Sequence, residues 1–124
     1  MIWLAVGAGG GIGAMARFWL SAALQPAGSA FNWGIFWVNI LGGLLMGMIV
    51  ELGALKLNLT PEMRAFLTTG VLGGFTTFSA FSLDSALLLQ KGEYLLAAAY
   101  VAGSVILSIA ALFAGLAIVR ALYA

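Results

Sequence analysis

Four stretches of this 124-residue chain contain no charged side chain: residues 1–16, 18–50, 65–83 and 94–119. A helix that crosses a bilayer needs about 20 mostly apolar residues. With their flanks, these stretches predict four transmembrane helices that use nearly the whole chain as a single transmembrane domain, 1–124. Charged residues make up 7% of the sequence, against about 25% in a soluble domain, so an ordinary soluble globule is excluded. The net charge of +1 offers nucleic acid no basic surface, and none is expected as a partner. Cysteine and histidine are both absent. Disulfides, thiolate chemistry, the usual metal ligand and the usual proton shuttle go with them. The N-terminus lacks a positive flank, and its apolar run is too long for a signal peptide. Residues 1–24 are therefore expected to remain as the first helix.

That helix spans about 2–24 and carries Arg17; the turn Gln25-Pro26-Ala27-Gly28-Ser29 ends it. The second spans about 32–52, with Trp33 and Trp37 at its start as an interfacial belt. After a loop at 53–60, Thr60-Pro61 reads as an N-cap followed by proline at the first helical position. The third helix, about 61–90, would run about 45 Å if continuous, longer than a hydrocarbon core of about 30 Å. At its centre lies Gly70-Val71-Leu72-Gly73-Gly74-Phe75-Thr76-Thr77, where paired glycines and threonines predict a break near the middle. The fourth helix spans about 94–121.

Four helices put both termini and the 53–60 loop on one face, with Lys56, Arg64 and Arg120, while the other face has Lys91 and, if it snorkels there, Arg17. So weak a positive bias permits insertion in both orientations, and two copies would then pair antiparallel. Four short helices enclose little space, so a pore or transport site calls for a homo-oligomer in the lipid bilayer. The glycines of helix 1 and the Gly43/Gly47 pair of helix 2 suit close helix packing. Gly9-x-Gly11-x-x-Ala14 is no dinucleotide site, since no strand precedes it and no acidic residue follows near position 34.

Polar side chains deep in a membrane need a reason. Asn39 serves either a helix–helix hydrogen bond or donation to a bound anion. Phe78, Phe81 and Ser82 share one helix face. Phenyl rings have positive edges, so two edges can face a small dehydrated anion, beside Thr76, Thr77, Ser79, Ser82 and Ser85; otherwise the rings are plain core. Ser104 and Ser108 share a face of helix 4 and either extend a hydroxyl track or bond back to the preceding turn. Carbonyls freed at the break can hold a cation. Two from each of two subunits would make a four-oxygen site suited to sodium. Arg17 is read as a snorkelling anchor near the interface or as a positive potential that draws in anions. Glu51, Glu62, Asp84 and Glu93 all fall near helix ends, which disfavours proton coupling through a deep carboxylate and favours passive conduction.

Three ordered motifs then converge. Gly10-Gly11-Ile12-Gly13-Ala14-Met15-Ala16-Arg17-Phe18, Gly34-Ile35-Phe36-Trp37-Val38-Asn39-Ile40-Leu41-Gly42 and Gly73-Gly74-Phe75-Thr76-Thr77-Phe78-Ser79-Ala80-Phe81-Ser82 together resemble the Fluc (CrcB-type) fluoride channels of bacteria, and the resemblance covers the whole chain. It implies an all-α membrane protein assembling as an antiparallel dual-topology homodimer with two fluoride pores. It further implies that Asn39, Phe78 and Phe81 line each pore, with Thr77, Ser79 and Ser82 adding hydroxyls and Ser108 as the helix 4 hydroxyl. The same resemblance implies that Arg17 is the vestibule arginine and that a structural sodium ion would sit at the dimer centre on the backbone carbonyls of Gly73 and Thr76. The implied role is relief of fluoride toxicity at the bacterial inner membrane. The chain departs from the family pattern at Ile35 and Ala80, where threonine is common, and at Asp84, where glutamate is common.

The sequence is thus read as a passive fluoride-selective channel and not as an enzyme. One rival is a small four-helix multidrug-type exporter, which depends on a deep glutamate in helix 1 that this chain lacks. The other is a non-conducting membrane subunit.

Overall fold

A computed structural model of the chain describes residues 1–56 and 58–123. Leu57, within the expected 53–60 loop, and Ala124, at the end of the expected single domain, lie outside the described residues. The elements are α1 (Ile2–Leu24), α2 (Trp33–Leu55), α3 (Pro61–Arg64), a π-helical segment (Ala65–Leu72), α4 (Gly73–Phe75), α5 (Phe78–Gln90) and α6 (Tyr94–Tyr123). No strand occurs among the described residues.

The termini follow local chemistry. α1 ends where Gln25 turns extended (φ −87°, ψ 115°). The Gln25 amide then ties the turn to α2: its Oε1 accepts from the Gly34 N–H at 3.1 Å and its Nε2 donates to the Phe31 carbonyl at 3.2 Å. Gly28 supplies the left-handed residue of this turn (φ 77°). The Asn32 side chain caps α2 by accepting from the Ile35 N–H. α2 runs to Leu55 rather than 52, because Gly53 alone does not stop a helix whose next residues, Ala54 and Leu55, favour it. Thr60 caps α3 through the Met63 N–H, with Pro61 at the first helical position.

Two backbone-to-backbone seams hold the helices together. On α2 and α6, a Cβ at Gly47 would sit 2.1 Å from the Leu112 carbonyl oxygen, and one at Gly115 2.3 Å from that of Leu44. On α1, a Cβ at Gly13 would lie 2.0 Å from the Val71 carbonyl oxygen, and one at Gly9 2.5 Å from that of Phe66. Gly9, Gly13, Gly43 and Gly47 thus act as the packing glycines expected of them, whereas a Cβ at Gly7, Gly10 or Gly11 would meet no described atom within 4 Å.

The stretches Trp33–Leu55, Pro61–Gln90 and Tyr94–Tyr123 are long and apolar enough to cross a membrane. α1 is not among them: Arg17 and five glycines dilute its apolar content. It packs as the fourth helix, with Trp3 91% and Phe18 78% exposed. The buried cluster is small and lies towards one end of the bundle, built from Phe31, Phe36, Phe81, Leu88, Ala97 and Tyr100. Trp33 and Trp37 flank it, stacked with ring centres 6.3 Å apart. Near the opposite end of α2, buried Glu51 pairs with Arg120 at 2.7 Å.

Candidate functional site

The expected break in the third helix falls at Thr76 and Thr77. Both residues are extended (φ −86°, ψ 159° and φ −150°, ψ 124°); the Thr76 N–H keeps its bond to the Leu72 carbonyl at 3.0 Å, whereas the Thr77 N–H and nearby carbonyls lose their helical partners. Irregular backbone at membrane depth persists only where something satisfies it, and most of these groups have a named partner. The Asn39 side chain pairs with both backbone groups of Thr77: its Oδ1 accepts from the N–H at 2.9 Å and its Nδ2 donates to the carbonyl at 3.2 Å. The Thr77 hydroxyl caps α5 by accepting from the Ala80 N–H at 3.1 Å. Arg17 Nε donates to the Gly74 carbonyl at 3.1 Å. The Gly73 and Thr76 carbonyls accept no hydrogen bond among the described residues.

Arg17 turns its side chain towards the break. A carbonyl released by the break gives its guanidinium a charge-assisted bond, and it stays half-buried against that segment.

Beside the break, α2, α5 and α6 enclose an open groove of about 420 Å³. Asn39, Thr76, Thr77, Phe78, Phe81, Ser104 and Ser108 line it, with apolar side chains completing the wall and no charged one. Ser104 Oγ and Ser108 Oγ are buried without a hydrogen-bond partner among the described residues. They do not bond back to the preceding turn; that alternative for the pair is not what the structure shows. Phe81 is tucked in, its ring 5.5 Å from that of Tyr100. Phe78, 78% exposed, projects from the same helix with its ring 5.5 Å from Phe81.

The structure thus brings together Asn39, Thr77, Phe78, Phe81 and Ser108 of the expected site. It leaves Ser79 and Ser82 outside the groove, on the exposed side of α5. Ser82 donates its hydroxyl to the Phe78 carbonyl at 2.9 Å, and Ser79 lies 3.3 Å from the Thr77 hydroxyl. For the expected cation site, Gly73 and Thr76 present unclaimed carbonyl oxygens, the neutral hard donors that a sodium ion takes.

Sequence reasoning missed the network above the groove. Asp84 Oδ2 accepts from Asn32 Nδ2 at 2.8 Å and from the fully buried Tyr100 hydroxyl at 2.9 Å. The signal was present: Tyr100, Ser104 and Ser108 recur every four residues on α6, one continuous face.

A family model described as CrcB-like protein, Camphor Resistance (CrcB), matches residues 4–116. A protein of Rhizobium meliloti named fluoride-specific ion channel FluC is 51% identical over 120 residues, 96% of each chain. One of the same name from Rhodospirillum centenum is 53% identical over 118 residues, 94% of each chain. Another from Agrobacterium fabrum is 50% identical over 119 residues, 95% of each chain.

Proposed function

The chain belongs to the CrcB-like family, and from that membership we propose that it is a passive, fluoride-selective ion channel of the bacterial inner membrane. It is a transport protein rather than an enzyme, and it lowers cytoplasmic fluoride by letting the ion leave the cell. The observation that carries this reading is the uncharged groove beside the break, with its two buried hydroxyls that have no partner of their own.

Fluoride is small and strongly hydrated, so a pore must replace its water with close donors. The Ser104 and Ser108 hydroxyls have protons to give, because nothing among the described residues takes them. Asn39 has one N–H committed to the Thr77 carbonyl and a second left for the groove. The rings of Phe78 and Phe81 turn positive edges to an anion without binding it as tightly as a lysine would. Conduction needs binding favourable enough for the ion to enter and weak enough for it to leave. A lining of hydroxyls, one amide and ring edges, with no charge, meets both demands.

The finer arrangement is an antiparallel dual-topology homodimer with two such pores. The exposed Phe78 and the outer hydroxyls of Ser79 and Ser82 support it, since a second copy covering that side of α5 would close the open groove. The Gly73 and Thr76 carbonyls of each copy would hold a sodium ion where the copies meet; that ion supplies a fixed positive charge there. Arg17 adds positive potential near the break.

Purified protein in liposomes loaded with potassium fluoride tests the function. After valinomycin is added, a fluoride electrode should record rapid release, while parallel vesicles retain chloride. Retention of both ions by a folded dimer would move the assignment to the non-conducting subunit, and proton-dependent transport would move it to the exporter.

A further inference from the structure

Thr77 is the second of two extended residues inside a helical bundle, and one side chain satisfies both of its backbone groups. The Asn39 amide does for Thr77 what a neighbouring β-strand would do: one acceptor to the N–H, one donor to the carbonyl. The task needs an acceptor and a donor on one short side chain, which asparagine supplies. Aspartate keeps the acceptor but sets a carboxylate against a carbonyl, and serine is too short to reach both groups. One turn further along α2, Gly42 lets the break come close. A Cβ there would fall 2.2 Å from the Thr76 Cγ2. That methyl cannot swing away freely, because Thr76 is stiff at χ1 and its hydroxyl is held by the Leu72 carbonyl at 3.0 Å.

We propose that Asn39 and Gly42 form a cradle on α2 that fixes the helix break, making Asn39 a positioning residue for the whole site as well as a lining donor. The route of action is local. Thr77 is the N-cap of α5, so pinning it sets where Phe78 and Phe81 begin. Thr76 and Gly73 lie on the other side of the same pin, and their carbonyls are the ones left unclaimed. A break held only by its own sequence would leave ring and carbonyl positions to drift, and α2 removes that freedom from outside. The proposal rests on the pore reading for its consequences but not for its geometry.

Hydrogen exchange of the full-length protein in detergent tests it, read at the Thr77 amide, beside fluoride flux and its dependence on sodium concentration. Asn39→Ser should speed Thr77 exchange at least tenfold, leave exchange in the middle of α6 unchanged, and raise the sodium concentration needed for flux. Loss of flux with Thr77 exchange and the sodium requirement both unchanged would make Asn39 a lining donor only and overturn the cradle. If Asn39→Ser fails to fold, the steric half of the cradle decides. Gly42→Ala should speed Thr77 exchange in the same way, and adding Thr76→Ser, which deletes the obstructing methyl, should restore protection. No effect of Gly42→Ala, or no rescue, would refute the proposal. Wild-type protein that does not conduct fluoride would remove the pore reading while the exchange results still judge the cradle.

Discussion

Replacing Ser104 with alanine separates a hydroxyl that serves the protein from one that serves an ion. In the chain alone, Ser104 Oγ is buried and unpartnered, 4% of the residue being exposed. A buried polar group without a partner costs about 1–3 kcal/mol, so Ser104→Ala should leave stability unchanged or raise it by up to that amount, measured without fluoride. Flux should move the other way. A hydrogen bond to a charged acceptor is worth about 1.5–3 kcal/mol. At about 1.4 kcal/mol per tenfold in rate, losing that donor slows fluoride by about 10- to 150-fold if the whole term falls on the barrier. Ser108→Ala should behave alike. The assay is paired: electrode-detected fluoride efflux from liposomes, and thermal unfolding in detergent. Unchanged flux would refute the role of these hydroxyls as donors to the ion. A stability loss above about 1 kcal/mol, the worth of an ordinary internal hydrogen bond, would show that Ser104 has a structural partner after all.

Phe78→Ile keeps an apolar side chain but deletes the ring edge, and it should abolish or sharply slow fluoride flux while gel filtration still shows a dimer; unchanged flux would count against ring-edge coordination. Gly47→Ala should destabilise the protein by about 1–3 kcal/mol as overpacking, since the new Cβ would meet the Leu112 carbonyl oxygen at 2.1 Å, and a melting temperature equal to wild type would deny the α2–α6 seam its role. The chain has no cysteine, so Asn58→Cys gives a unique label on an exposed loop position. In dual topology this label reacts from both sides of intact membrane vesicles, and one-sided labelling would eliminate the antiparallel arrangement.

Much of the architecture was legible in the chain because membrane helices obey few rules. Charge-free length placed the helices, Pro61 after Thr60 marked the start of α3, and a run too long for the bilayer pointed to the break at Gly73–Thr77. The form of the third helix before the break was not legible: eight residues widen into a π-helical segment lying against Gly9 and Gly13 of α1, which no local pattern announces. The partner of Arg17 was not legible for a related reason. Snorkelling assumes that nothing inside the bundle can meet a guanidinium, and the Gly74 carbonyl becomes such a partner only once the break exists. For Asn39 the sequence left two readings, a structural hydrogen bond or a donor to an anion, and the geometry accommodates both through its two N–H groups. Tyr100 and Asn32 escaped notice because an aromatic residue and a helix cap are ordinary by themselves; only folding brings both onto one Asp84 oxygen.

The most direct measurement is the reversal potential of the reconstituted channel in a planar bilayer, with potassium fluoride on one side and potassium chloride at equal concentration on the other. Each tenfold of selectivity between monovalent anions shifts that potential by about 59 mV. An uncharged lining of hydroxyls, amide and ring edges selective for fluoride predicts a shift well beyond one such step, in the direction of fluoride permeation. A current that reverses near zero would mean that chloride passes as readily, and would contradict a fluoride-selective pore.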